Sequence, residues 1–190
     1  MELVVQEDII TAQNQETPEL ILIWKQLIEI PKELFFENMA FLITLDISFN
    51  EIKIIPDEIK NLKNLENLFA QNNKIEFISP EISNLKNLEV LNLSCNNIKS
   101  LPFEFCELKK LKSINLGENK LKYFPIILGE IKTIEYLNLC FNKNLIKWSD
   151  KSTKFILKKM RIINSIKDFG FLKSLNNENE FIDLIINFYK

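Results

Sequence analysis

Residues 88–110 read LEVLNLSCNNIKSLPFEFCELKK, and Leu111 begins the same phrase again. Within this stretch Leu91-Asn92-Leu93-Ser94 alternates apolar and polar, the period of a strand, which turns Leu91 and Leu93 inward and Asn92 and Ser94 outward. Asn96 follows where the strand ends, Leu101-Pro102 comes next, and Phe105 with Leu108 closes the unit. Working outward, equivalent starts fall at Leu42, Leu65, Leu88, Leu111 and Ile134, so the period is 23 residues. Leu45, Leu68, Leu91, Ile114 and Leu137 form a second column, and Ile47, Ala70, Leu93, Leu116 and Leu139 a third. Asn50, Asn73, Asn96, Asn119 and Asn142 form an unbroken asparagine column. Pro56, Pro102 and Pro125 share one offset, while Pro80 is shifted by one.

One such unit cannot bury its own apolar side, so neighbouring units stack and share a continuous core. Each buried Leu or Ile then contributes roughly 1.5–3 kcal/mol from removal of apolar area. The asparagines stand where the chain leaves the strand. Their amides offer donors and an acceptor to turn backbone that no ladder reaches, which is a structural role.

The pattern L-x-x-L-x-L-x-x-N-x-L, followed by Leu-Pro and a second apolar stretch, resembles the leucine-rich-repeat family. Its length and Leu-Pro step are most similar to the 23-residue intracellular class of Ras-suppressor and plant Ras-group proteins. The resemblance spans residues 17–165 and implies an α/β solenoid. That fold is a right-handed curved superhelix, with a parallel β-sheet on the concave face and irregular or short helical segments on the convex one. About six repeats are expected.

The ends depart from the pattern. Leu20, Leu22, Leu27, Ile30, Pro31 and Leu34 fit a first repeat that runs two residues long, with Lys25 in the asparagine's place. Residues 1–16 are expected to form a cap, as a helix or strand with Val5, Ile9 and Ala12 on one side. After Ile134 the register slips, and Lys158–Ile163 reads as a degenerate seventh strand, the alternative being a capping helix over Thr153–Lys167. Residues 166–190 form a C-terminal cap, with a helix over Glu178–Tyr189.

Composition narrows the chemistry. The chain of 190 residues has no histidine, which removes the commonest general base and metal ligand. Its three glycines lie too far apart for a phosphate-cradling loop. No apolar run approaches the ~20 residues needed to span a bilayer. Met1–Ile10 does not read as a signal peptide. Cys95, Cys106 and Cys140 lack metal-ligand spacing; Cys95 and Cys140 lie two repeats apart, roughly 10 Å at ~4.8 Å per strand, too far for a disulfide. A reducing compartment, cytoplasmic or nuclear, is expected. No catalytic residue, metal site or cofactor is expected.

The resemblance implies that outward positions of the concave strands make the contacts to a protein partner. Three rows supply them. One holds Thr44, Tyr136 and Lys159, the central one Ile21, Asp46, Phe69, Asn92, Asn115, Asn138 and Arg161, and the next Ile23, Ser48, Gln71 and Ser94, with Trp24 alongside. Exposed apolar side chains on a sheet face ask to be covered, and aromatic anchors often dominate interfaces. Ile21, Ile23 and Trp24 are read either as part of such a patch or as covered by residues 1–16. Phe49 and Phe141 read as half-buried structural residues. The first 24 residues hold five acids and no base, whereas Lys158, Lys159 and Arg161 cluster at the other end, a polarity able to steer an acidic partner. Nucleic acid is disfavoured, because its binding wants a basic total and the net charge is −2.

The function implied is a non-catalytic interaction scaffold in intracellular signalling. Regulation of a Ras-like small GTPase or of a Ser/Thr phosphatase are the first candidates. The alternative is the repeat domain of a larger kinase or phosphatase. Weak self-association through the C-terminal helix is a further reading.

Overall fold

The computed structural model describes residues 2–148 and residue 158. It opens on a helix, α1 (Glu2–Gln15), followed by strand β1 (Glu19–Ile21). Then come β2 (Thr44–Asp46), β3 (Ile54–Ile55), β4 (Asn67–Phe69), β5 (Phe77–Ile78), β6 (Val90–Asn92), β7 (Ser113–Asn115) and β8 (Tyr136–Asn138). Strands β1, β2, β4, β6, β7 and β8 lie side by side in that order as one parallel sheet, and β3 pairs with β5 in a second small one. Between sheet strands the chain returns through short 3-10 helices, such as Asp57–Asn61, Pro80–Asn84, Phe103–Glu107 and Ile126–Glu130. The expected α/β solenoid is the fold observed.

The 23-residue period is the pairing register itself. Leu45, Leu68, Leu91, Ile114 and Leu137 are partners in a row across the strands. They are buried, and a single core runs without a break from Val5 in α1 to Leu145. The first repeat also behaves as its sequence suggests, because Leu20 sits opposite Leu45 despite the two extra residues.

The asparagine column forms a ladder. In each repeat the amide nitrogen donates to carbonyls of its own strand end and of the preceding repeat. For Asn96 these are Leu93 at 3.1 Å and Ala70 at 2.9 Å. Its Oδ1 accepts from the backbone N–H of Ile75 at 2.9 Å. Asn73, Asn119 and Asn142 repeat the arrangement one unit at a time. Asn50 reaches back to the first repeat, where its Oδ1 accepts from both Lys25 and Leu27 N–H. Lys25 therefore loses the asparagine's role without orphaning the turn. Its ammonium instead pairs with Asp8 on α1 at 2.7 Å.

The displaced proline has a local cause. Ser79 holds the column position and caps the following 3-10 helix, accepting the Glu81 N–H at 3.1 Å and donating to Asp57 at 2.5 Å. Pro80 then occupies the first helical position, where its missing N–H costs nothing.

Helix α1 (Glu2–Gln15) brings Val5, Ile9 and Ala12 into the buried core beside β1. Of the expected seventh strand, Lys158–Ile163, and its alternative helix, Thr153–Lys167, only Lys158 is described, and it is helical and exposed; the rest lies outside the described residues. Lys159, Arg161 and the Glu178–Tyr189 helix lie outside the described residues. Among the described residues, no helix is long and apolar enough to cross a membrane.

Candidate functional site

The outward rows of the six-stranded sheet are not equally free. Asp46, Asn92, Asn115 and Asn138 each turn a side-chain oxygen onto the N–H two residues ahead, at 2.9, 3.2, 3.0 and 2.9 Å. These groups close the strand ends, so that side-chain oxygen is already engaged within the sheet. Thr44 likewise accepts from the Asn67 amide at 3.0 Å. Ser94 donates to Asn92 at 2.9 Å. Ser48 corrects the sequence reading: it is fully buried, donating to Asp46 at 2.5 Å, and offers nothing at the surface. Gly117 owes its presence to space, since a Cβ there would stand 2.9 Å from the Asn138 amide nitrogen.

Phe69 breaks the central row. It stands between Asp46 and Asn92 in register, half-buried, with no polar group to close its strand end. Beside it Gln71, also half-buried, keeps a buried Oε1 that accepts no hydrogen bond.

The position just before the ladder asparagine carries a feature that periodicity does not reveal. Trp24, Phe49, Asn72, Cys95, Glu118 and Phe141 all have positive φ, between 54° and 60°. A side chain forced into this left-handed region costs of order 1 kcal/mol or more, which each repeat accepts to make its turn. The turn throws these side chains outward. Phe141 is 77% exposed rather than half-buried as its sequence context suggests. Trp24 is 71% exposed and stacks on half-buried Phe49, ring centroids 4.6 Å apart and planes 22° from parallel.

Helix α1 covers Leu20 and Leu22 but leaves Ile21 56% exposed; Ile23 is half-buried. Ile21 and the Trp24–Phe49 stack thus leave apolar surface uncovered at the first two strands of the sheet, and half-buried Phe69 stands on the third, across Asp46 from Ile21. At the far end of the described sheet Tyr136 is half exposed.

One charged row was missed. The residues just before each strand of the six-stranded sheet are Pro18, Ile43, Glu66, Glu89, Lys112 and Glu135, one place ahead of the row that begins with Glu19 and Thr44. Lys112 pairs with Glu89 at 2.6 Å. That hydrogen bond and charge, with Glu135 and Glu66 nearby, hold its ammonium above the usual lysine range. The signal was available as a column of acids at the repeat period.

The cysteines are free thiols. Burial, with Glu118 beside one and Glu107 beside the other, pushes Cys95 and Cys106 above the ordinary thiol range, so both are poorly nucleophilic. Among the described residues no cluster of Cys, Asp and Glu has the makings of a metal site.

Two leucine-rich-repeat family models match the chain, one over residues 71–121 and 86–143, the other over 41–62. Comparison with curated proteins gives no match. Among solved structures, a leucine-rich-repeat protein of Leptospira interrogans is 25% identical, with a TM-score of 0.59, over 70% of this chain and 40% of that one. A plant peptide hormone receptor, RGFR1 in complex with RGF2, is 34% identical at a TM-score of 0.53, over 60% and 19%. An internalin of Listeria monocytogenes shares the fold at 22% identity and a TM-score of 0.59, over 68% and 36%. The chain spans less than half the length of each. Family pattern, asparagine ladder and parallel sheet coincide along the same residues, and the chain is a leucine-rich-repeat protein.

Proposed function

We propose that this chain is a protein-interaction module that seats a protein partner on its parallel sheet, anchored by Ile21, Trp24 and Phe69. The observation that carries the reading is the stacked Trp24–Phe49 pair. An indole 71% exposed on a left-handed backbone position costs strain and solubility, and the α1 cap does nothing to cover it. Complexes such as that of the plant hormone receptor support a proteinaceous ligand for the same fold. Regulation of a Ras-like GTPase or a Ser/Thr phosphatase is the finer form of the proposal. It draws on the 23-residue class alone, as do intracellular signalling and the absence of catalysis.

Affinity purification from cells, comparing wild type with Trp24→Ala and Phe69→Asp, tests the reading. An anchor of this size contributes about 2 kcal/mol, so recovery of the partner falls on the order of thirty-fold for either variant. Unchanged recovery from variants with intact circular dichroism removes the sheet as the binding face.

A further inference from the structure

Charge is sorted on the sheet face. Among the described residues from Pro18 to Cys140, the row just before the strands and the three outward rows hold five acids, Glu19, Asp46, Glu66, Glu89 and Glu135, and one base, Lys112. Five against one gives the described part of this face a formal charge of −4. Its single base is already engaged by Glu89. Glu66, Glu89 and Glu135 lie on one edge of the sheet within three strand spacings, ~14 Å at ~4.8 Å each. The opposite edge is apolar at its beginning, with Trp24 and Phe49.

From this geometry we infer that the occupant of the face is a basic segment of a protein, bearing one large apolar side chain among lysines or arginines. Its cations meet the Glu66–Glu89–Glu135 edge, and its apolar side chain settles between Ile21, Trp24 and Phe69. Opposed charges across the edge speed encounter and fix orientation, while the apolar contact slows release. A phosphate backbone would meet the same carboxylates and be repelled, which separates this occupant from a nucleic acid. The inference rests on the sheet being the binding face, and adds the chemistry of what binds there.

The test is selection of a phage-displayed random 12-residue peptide library on the immobilised protein, followed by anisotropy measurements with the top peptide. The selected peptides should carry lysine or arginine flanking an apolar residue. The top peptide's affinity should fall about ten-fold or more as salt rises from roughly 50 to 500 mM, because screening acts on exposed charge. Glu66→Lys with Glu135→Lys should weaken it by about ten-fold or more. Glu66→Gln with Glu135→Gln gives a milder loss should the reversal impair folding. Selection of neutral or acidic peptides, no selection, or indifference of basic peptides to both charge variants overturns the inference. If peptides so selected are lost with Phe69→Asp yet ignore the charge variants, the face stands and only its basic partner falls. If they ignore Phe69→Asp as well, the face itself falls.

Discussion

The ladder asparagines show what one side chain can hold. Asn96 satisfies the carbonyls of Ala70, Leu93 and Ser94 and the N–H of Ile75, and it is 6% exposed. Asn96→Ala strands these buried groups, at about 1–3 kcal/mol for a single unsatisfied partner. A loss of about 3 kcal/mol in urea unfolding is expected, and one below about 1 kcal/mol would remove the ladder from the account of stability. Gly117 is a subtler case. Gly117→Ala pushes its Cβ against the Asn138 amide and the Asn115 oxygen, 2.9 and 3.2 Å away. The loss should be about 1 kcal/mol, and much of it should vanish in the Asn138→Ala background, where the double-mutant cycle shows coupling. The asparagine column was legible because the repeat spells it five times. Gly117 was not, since its reason is a neighbour 21 residues later in the chain.

Elements at the chain's beginning follow a different logic from those in the middle. An inner repeat buries its core on both sides, but β1 has no strand before it, and α1 supplies the missing cover with Val5, Ile9 and Ala12. Ile9 is 1% exposed, so Ile9→Ala removes buried area and leaves a cavity, at about 2–4 kcal/mol by thermal or urea unfolding. Asp8→Asn, which breaks the partly exposed ion pair to Lys25, should cost under about 1 kcal/mol. A cap held by its charge rather than its packing would show the opposite order. The sequence left open whether residues 1–16 are helix or strand and whether they hide Ile21 and Trp24. Packing decided both. Val5, Ile9 and Ala12 of α1 share one buried core with Leu20 and Leu22, while Ile21 lies on the other side of β1 and stays exposed.

Across the molecule, exposed ion pairs tie neighbouring repeats together, each joining residues 23 apart. Lys74 pairs with Glu51, and Lys99 with Glu76. Each pairing holds its carboxyl below the usual glutamate value of 4.5, chiefly through the lysine hydrogen bond. A carboxyl lowered in the folded state stabilises above its unfolded value, and that stability is lost as pH falls through the folded one. Glu51→Gln with Glu76→Gln should therefore flatten the drop in melting temperature from about pH 6 to about pH 3, and molar salt should do likewise in the wild type. Identical acid branches would show these exposed pairs to be inert. What the sequence by itself determined was the period, and with it the fold, the register and the core, because a 23-residue repeat buries its apolar columns only by stacking in register. The tertiary structure alone decided which outward residues remain free. Ser48 was withdrawn into the sheet, the central amides were spent on their own strand ends, and Phe141 was thrown into solvent. These outcomes turn on neighbours a whole repeat apart and on a left-handed turn, neither of which alternation of apolar and polar residues encodes.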